Sequence, residues 1–226
     1  MIPLFEPWLG EEELNQIKEV IESKWIAEGP KVREFEEKVA SICEVKYAVA
    51  VSNGTTALYV GLKALGIGEG DEVVVPDLTF IASANAVKLT GATPVFVDVD
   101  EKTLNIEPEA TEKAVTERTK AIMPVHLYGQ AADMDEVMRI AEKHSLYVIE
   151  DAAEAIGVKF NGKPVGGFGN VNCLSFYADK TITTGEGGML LTNEDKLAEW
   201  CRLFKNQGRF GGGANQGGRA SPISDC

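Results

Sequence analysis

The sequence predicts an α/β fold in which a mostly parallel sheet is covered by helices. Short apolar runs of strand length, such as 47–51 and 146–149, recur between segments whose apolar residues have helical spacing. That alternation repeats about four times before residue 151, which implies parallel strands joined by right-handed crossovers. Several runs end in Gly, Thr, Pro or Asp, at the carboxyl edge where open α/β sheets place their ligands.

Taken in order, residues 11–23 place Leu14, Ile17, Val20 and Ile21 at helical spacing, which predicts a surface helix packed on the domain. Gly29-Pro30 marks a turn before a second amphipathic helix, 31–42. Trp25, between the two, is either a packing anchor or a substrate-facing side chain. The run 47–51 (YAVAV) reads as a buried strand, followed by SNGTT at 52–56 and a helix at 57–64. Strand, Gly/Thr turn and helix aim backbone N–H groups and hydroxyls at an anion. The turn matches neither the Walker pattern nor G-x-G-x-x-G. The same residues also suit a plain helix start with Thr55 as N-cap.

A strand at 72–75 stops at Pro76, and Asp77-Leu78-Thr79-Phe80 follows at its carboxyl end. Phe80 is either core or an aromatic surface for a flat ring. A helix at 81–89, a strand at 93–99, a helix at 108–115 and a strand at 121–125 continue the alternation. His126, just past that last strand, reads as a hydrogen-bonded residue behind the site. An amphipathic helix at 133–144 leads to the strand 146–149, which ends in two carboxylates, Glu150 and Asp151. Residues 156–165 read as a hairpin around Asn161-Gly162. Strands at 173–176 and 188–191 flank a loop that carries Lys180. The final helix, 193–207, has Leu197, Trp200, Cys201 and Phe204 on one face. Periodicity then stops. Residues 1–209 form the expected domain, and 210–226 an irregular Gly/Ser-rich tail.

With 35 acidic against 22 basic residues the chain carries −13, which argues against nucleic acid as a partner. Its four cysteines, Cys43, Cys173, Cys201 and Cys226, are far apart with no CxxC spacing. Neither a metal site nor a disulfide framework is expected, and a cytoplasmic location fits. Cys173 reads as packing. No apolar run is long enough to predict a membrane span. The start, MIPLFEPWLGEEE, lacks the regions of a signal peptide.

A carboxylate at the end of one buried strand and a lysine just past another is the pair that pyridoxal phosphate uses. The amine forms a Schiff base, and the anion keeps the pyridine nitrogen protonated. Asp151 and Lys180 are the candidates. Singly, Asp151 also suits a helix cap for Ala152-Ala153, and Lys180 a solvated loop. Lys180 sits among small residues apart from Asp179 and Glu186, a setting expected to free its amine.

Six segments appear in order: SNGTTAL from Ser52, GDEVVVPDLTFIASANAV from Gly70, GATPVFVDVD from Gly91, TKAIMPVHLYGQ from Thr119, EDAAEAIG from Glu150 and SFYADKTITTGEGG from Ser175. Together they resemble the DegT/StrS family of pyridoxal-phosphate aminotransferases that act on nucleotide sugars, over residues 1–209. The resemblance implies the large domain of a fold type I aminotransferase, with a mixed seven-stranded sheet, working as a homodimer. It implies that Lys180 holds the cofactor and moves protons, and that Asp151 pairs with the ring nitrogen. Glu154 would lie near the ring hydroxyl and Phe80 would stack on the ring, while Thr55, Thr56 and Ser175 would hold the phosphate. The reaction implied takes an amino group from L-glutamate to a nucleotide-linked keto-deoxy sugar, with GDP-4-keto-6-deoxymannose as the first candidate. Related dehydratases carry His in place of Lys180, which disfavours dehydration. Family members continue beyond the NQGR-like segment 206–209 into a small C-terminal domain, whereas GGGANQGGRASPISDC does not resemble them. The expectation is therefore a chain whose C-terminal small domain is absent or truncated, with weak cofactor binding and little turnover. The alternative is a binding or regulatory protein that only holds the cofactor.

Overall fold

The computed structural model describes Ile2 and residues 5–209, and the expected tail 210–226 lies outside the described residues. Its centre is one sheet of seven strands: β1 (Tyr47–Val51), β2 (Glu72–Pro76), β3 (Thr93–Val97), β4 (Thr119–Ile122), β5 (Tyr147–Asp151), β8 (Val171–Ser175) and β9 (Gly188–Thr192). A separate two-stranded hairpin, β6 (Lys159–Phe160) with β7 (Lys163–Pro164), turns through Asn161 and Gly162, both at positive φ. The spatial order is β1-β9-β8-β5-β4-β2-β3. Pairs from β8 across to β3 are parallel, while β9 runs antiparallel to both its neighbours. Two antiparallel steps restore direction, so β1 points the same way as β8 and only β9 is reversed. The sheet is mostly parallel and mixed.

Among the described residues seven α-helices accompany it: α1 (Glu11–Ser23), α2 (Pro30–Ile42), α3 (Gly54–Ala64), α4 (Ala82–Leu89), α5 (Pro108–Lys113), α6 (Met134–His144) and α7 (Asp195–Lys205). Alternate strand residues serve opposite faces, as the period of two requires. Val73, Val75, Ile149 and Leu190 pack with Leu58 and Leu62 of α3, Val87 of α4 and Cys201 of α7. Val74, Ile122 and Val148 face the other way, onto Met134, Val137 and Ile140 of α6. Ala48, Leu174 and Leu191 meet Val39 of α2 on that same side. The result is a three-layer sandwich, and its strands, covered on both faces, read as continuous apolar runs.

Several boundaries differ from those the sequence suggested. β4 begins two residues early and stops at Ile122, because Pro124 has no N–H for the ladder. Val125 instead makes an isolated parallel bridge with Asp151, and β5 runs on through that residue. Trp25 is a local anchor: its indole N–H donates to the Glu28 carbonyl, and its ring covers Gly29. Helix α1 departs furthest. Leu14, Ile17 and Ile21 are exposed and no α1 residue is buried, so its apolar stripe is not packed on the domain.

Candidate functional site

The carboxyl ends of β1, β2, β5 and β8 open into one cavity of about 490 Å³. Thr55, Phe80, Asp151, Glu154, Ser175 and Lys180 all line it, brought there by four separate strand ends and the loops that follow them.

The anion corner is built on β1 and α3. Asn53, not Thr55, is the N-cap of α3, and its side chain accepts the Thr56 N–H at 2.8 Å. The N–H groups of Gly54 and Thr55 stand in the first helical turn, where no intrahelical acceptor exists and an anion is favoured. The Thr56 hydroxyl lies 2.9 Å from Asn53 Oδ1 and 3.2 Å from Ser52 Oγ, so the structure engages it in the cap. Ser175, at the end of β8, closes the corner from across the sheet. A Cβ added at Gly54 would meet its Cβ at 3.0 Å, and one added at Gly188 would meet the Asn53 carbonyl oxygen at 2.2 Å. Only glycines permit this approach.

Asp151 is nearly buried, and its main chain is locked by hydrogen bonds from its N–H to Pro124 O and to its carbonyl from the His126 N–H. Its Oδ2 accepts the Ser83 hydroxyl at 2.7 Å and its Oδ1 the Ala153 N–H at 3.2 Å. Burial pushes its carboxyl above the usual carboxylate range, while Ser83, Ala153 and His126 pull the other way. A cationic ring nitrogen beside it would relieve that cost. Cys173 lies beneath, and burial raises its thiol far above the ordinary value, in keeping with packing.

Lys180 is not isolated among small residues, as its sequence neighbours suggested. Its Nζ lies 3.0 Å from Glu154 Oε1 and 3.9 Å from Asp179 Oδ1. The second Glu154 oxygen accepts the Tyr128 N–H at 2.8 Å, and Tyr128 itself has φ of 54°. Phe80 is 73% exposed at the cavity wall, an uncovered aromatic face rather than a core residue.

His126, at the cavity wall, and Glu150 beneath it are a fully buried pair at 3.0 Å. The Ala132 N–H donates to His126 Nδ1, which leaves Nε2–H to donate to Glu150. Glu150 also takes the N–H groups of Gly166, Phe168 and Gly169, so this carboxylate is structural and faces away from Asp151. Ser83 and Asn53 are the site residues that motif reading missed. The i,i+4 spacing of Thr79 and Ser83 was the available signal.

These residues fit pyridoxal phosphate. A glycine-walled corner with free N–H groups suits its phosphate, a buried carboxylate suits a cationic ring nitrogen, an exposed aromatic suits the ring face, and a lysine suits its aldehyde. Among the described residues no helix is long and apolar enough to cross a membrane, and no cluster of ligating side chains suits a metal.

Comparison with known proteins agrees. The model of the DegT/DnrJ/EryC1/StrS aminotransferase family matches residues 7–219. A GDP-perosamine synthase from Escherichia coli O157:H7 is 50% identical over 208 residues, covering 92% of this chain and 57% of the relative. Among solved structures, an aminotransferase from Psychrobacter cryohalolentis superposes with a TM-score of 0.87 at 45% identity, covering 91% of this chain and 53% of that one. NtdA from Bacillus subtilis, solved with bound cofactor PMP, superposes with a TM-score of 0.81 at 35% identity, covering 88% and 46%. The chain thus spans little more than half the length of the curated relatives it matches.

Proposed function

The chain belongs to the DegT/DnrJ/EryC1/StrS aminotransferase family, and on that footing we propose that it carries the pyridoxal-phosphate site of a nucleotide-sugar aminotransferase. The amino donor in this reading is L-glutamate. The acceptor is a nucleotide-linked keto-deoxy sugar, with GDP-4-keto-6-deoxymannose favoured by the likeness to GDP-perosamine synthase. A cytoplasmic homodimer serving polysaccharide biosynthesis completes the reading.

One observation supports it above the others: Asp151 ends β5, Lys180 lies in the loop that follows the adjacent parallel strand β8, and both line one cavity. When bound, pyridoxal phosphate supplies an electron sink for charge developing beside nitrogen. Lys180 would provide the amine that holds the cofactor and would carry a proton between substrate and cofactor. Asp151 fixes the ring nitrogen in its cationic form. Gly54 and Thr55 N–H groups, with the Thr55 and Ser175 hydroxyls, bind the phosphate. Thr56 acts there through the cap it shares with Asn53. Phe80 covers the ring, and Glu154, released from Lys180, turns to the ring hydroxyl.

A spectral titration tests this reading. Pyridoxal phosphate should give a visible band that Lys180→Ala abolishes, and glutamate should shift it. A band that persists in Lys180→Ala overturns the assignment. A normal band that glutamate leaves unchanged favours a protein that only holds the cofactor.

A further inference from the structure

Asp151 is tethered from a distant part of the chain. Ser83 sits in the first turn of α4, is fully buried, and places Oγ 2.7 Å from Asp151 Oδ2. Thr79 Oγ1 lies 2.9 Å from Ser83 Oγ, and Thr79 itself lines the cavity. Direction follows from proton counting. With a cationic ring nitrogen beside it Asp151 is ionised and only accepts, so Ser83 must then spend its single proton on Asp151. The Phe80 carbonyl, 3.3 Å from Ser83 Oγ, is left out, and Thr79 must donate to Ser83. The hydroxyls therefore form a one-way chain, Thr79 to Ser83 to Asp151, in which each bond strengthens the next. With the Ala153 N–H on Oδ1, the two oxygens are held by donors from different elements, which fixes the plane of the carboxylate. The same turn carries Phe80, and the Ser83 N–H donates to the Phe80 carbonyl at 3.2 Å.

We propose that Thr79 and Ser83 are positioning residues for the cofactor: a hydroxyl relay that aims the Asp151 carboxylate at the ring nitrogen and sets it relative to Phe80. The proposal rests on the pyridoxal-phosphate reading of the cavity. It assigns a role to two residues that make no contact with the reacting atoms. Their contribution passes through Asp151 alone, which separates this role from general support of the fold.

A double-mutant cycle on pyridoxal phosphate affinity, read by absorbance with the full chain, tests it. Ser83→Ala should weaken binding about tenfold in the wild-type background, as expected for a lost hydrogen bond to a charged group. In the Asp151→Asn background the same change should cost less than about twofold, because the anion it serves is gone. Thr79→Val, isosteric and only half-buried, should weaken binding about threefold, and Thr79→Ser should restore it. The pH profile of the cofactor band should shift in Ser83→Ala and Thr79→Val but not in Thr79→Ser. Equal losses with Asp and Asn at position 151 would mean a structural role and overturn the relay. So would unchanged affinity in both Ser83→Ala and Thr79→Val. If Asp151→Asn alone leaves affinity untouched, the reading of the cavity fails first and the relay with it.

Discussion

Lys180 Nζ and Glu154 Oε1 stand 3.0 Å apart, and the other oxygen of that carboxylate holds the Tyr128 N–H. Glu154 thus joins the loop after β8 to the turn after β4. Glu154→Ala should lower stability by about 1 kcal/mol, the usual worth of a hydrogen bond lost at a partly exposed site. Glu154→Gln keeps an acceptor for Tyr128 and should recover most of that loss in urea denaturation.

The Asp151 carboxyl predicts a pH dependence with a definite sign. Burial raises it above its ordinary 3.8, and Glu154 adds to the rise, while Ser83, Ala153 and His126 oppose it. As pH climbs above 3.8, the unfolded chain releases this proton while the folded chain keeps it, so stability falls toward the raised value. In cofactor-free protein, Asp151→Asn should therefore gain on the wild type as pH rises above 3.8. Parallel stability curves for the two proteins would show that the carboxyl is unperturbed.

Gly188→Ala should cost about 2–4 kcal/mol and abolish pyridoxal phosphate binding, because the new Cβ meets backbone that cannot yield. Gly157 is the control. Its φ is 83° with open space around the Cβ position, so Gly157→Ala should cost only the left-handed penalty of about 1 kcal/mol. Chemical denaturation of the two variants separates a steric clash from backbone strain.

The outer edge of β1 is stoppered by charged side chains. Glu36 accepts the Ala50 N–H at 2.8 Å, Arg202 donates to the Ala48 carbonyl at 2.8 Å, and Lys205 to the Ala50 carbonyl at 2.9 Å. Arg202 also pairs with Glu36 at 2.9 Å, and Lys205 pairs with Glu28. Glu36→Ala should cost about 2 kcal/mol, since it strands a backbone N–H and removes the anion that Arg202 and Lys205 share. Glu36→Gln should cost less. Increased self-association of Glu36→Ala in sedimentation would show that this cluster also shields the strand edge.

Much of this was legible in the sequence because the strands are buried on both faces. YAVAV and EVVV admit no other strong reading, and Gly, Pro and Thr punctuate them where the chain leaves the sheet. Asp151 and Lys180 stood out for the same reason, as charges next to apolar runs. What stayed hidden was set by contacts between distant segments. Nothing near Gly188 announces that β9 runs against its neighbours, since an apolar run has no direction. Ser83 looks like any helix serine until the fold brings Asp151 beside it. The pattern of α1 correctly gave a helix but not a burial partner, because periodicity marks a face and not what covers it.

The reversed strand β9 has one more consequence. Because β8 and β9 pair antiparallel up to Ser175 and Gly188, the segment 176–187 that carries Lys180 is a hairpin connection, not a crossover helix. Its base is fastened by the Phe176 N–H to the Gly187 carbonyl at 2.9 Å, and the Lys180 N–H turns back on Tyr177. Lengthening such a closed loop is thermodynamically cheap, about 0.6 kcal/mol per doubling. The reach of the amine can therefore be altered by insertion or deletion between Thr181 and Glu186 while the seven strands keep their register. In this chain the lysine is an adjustable fitting on a fixed frame.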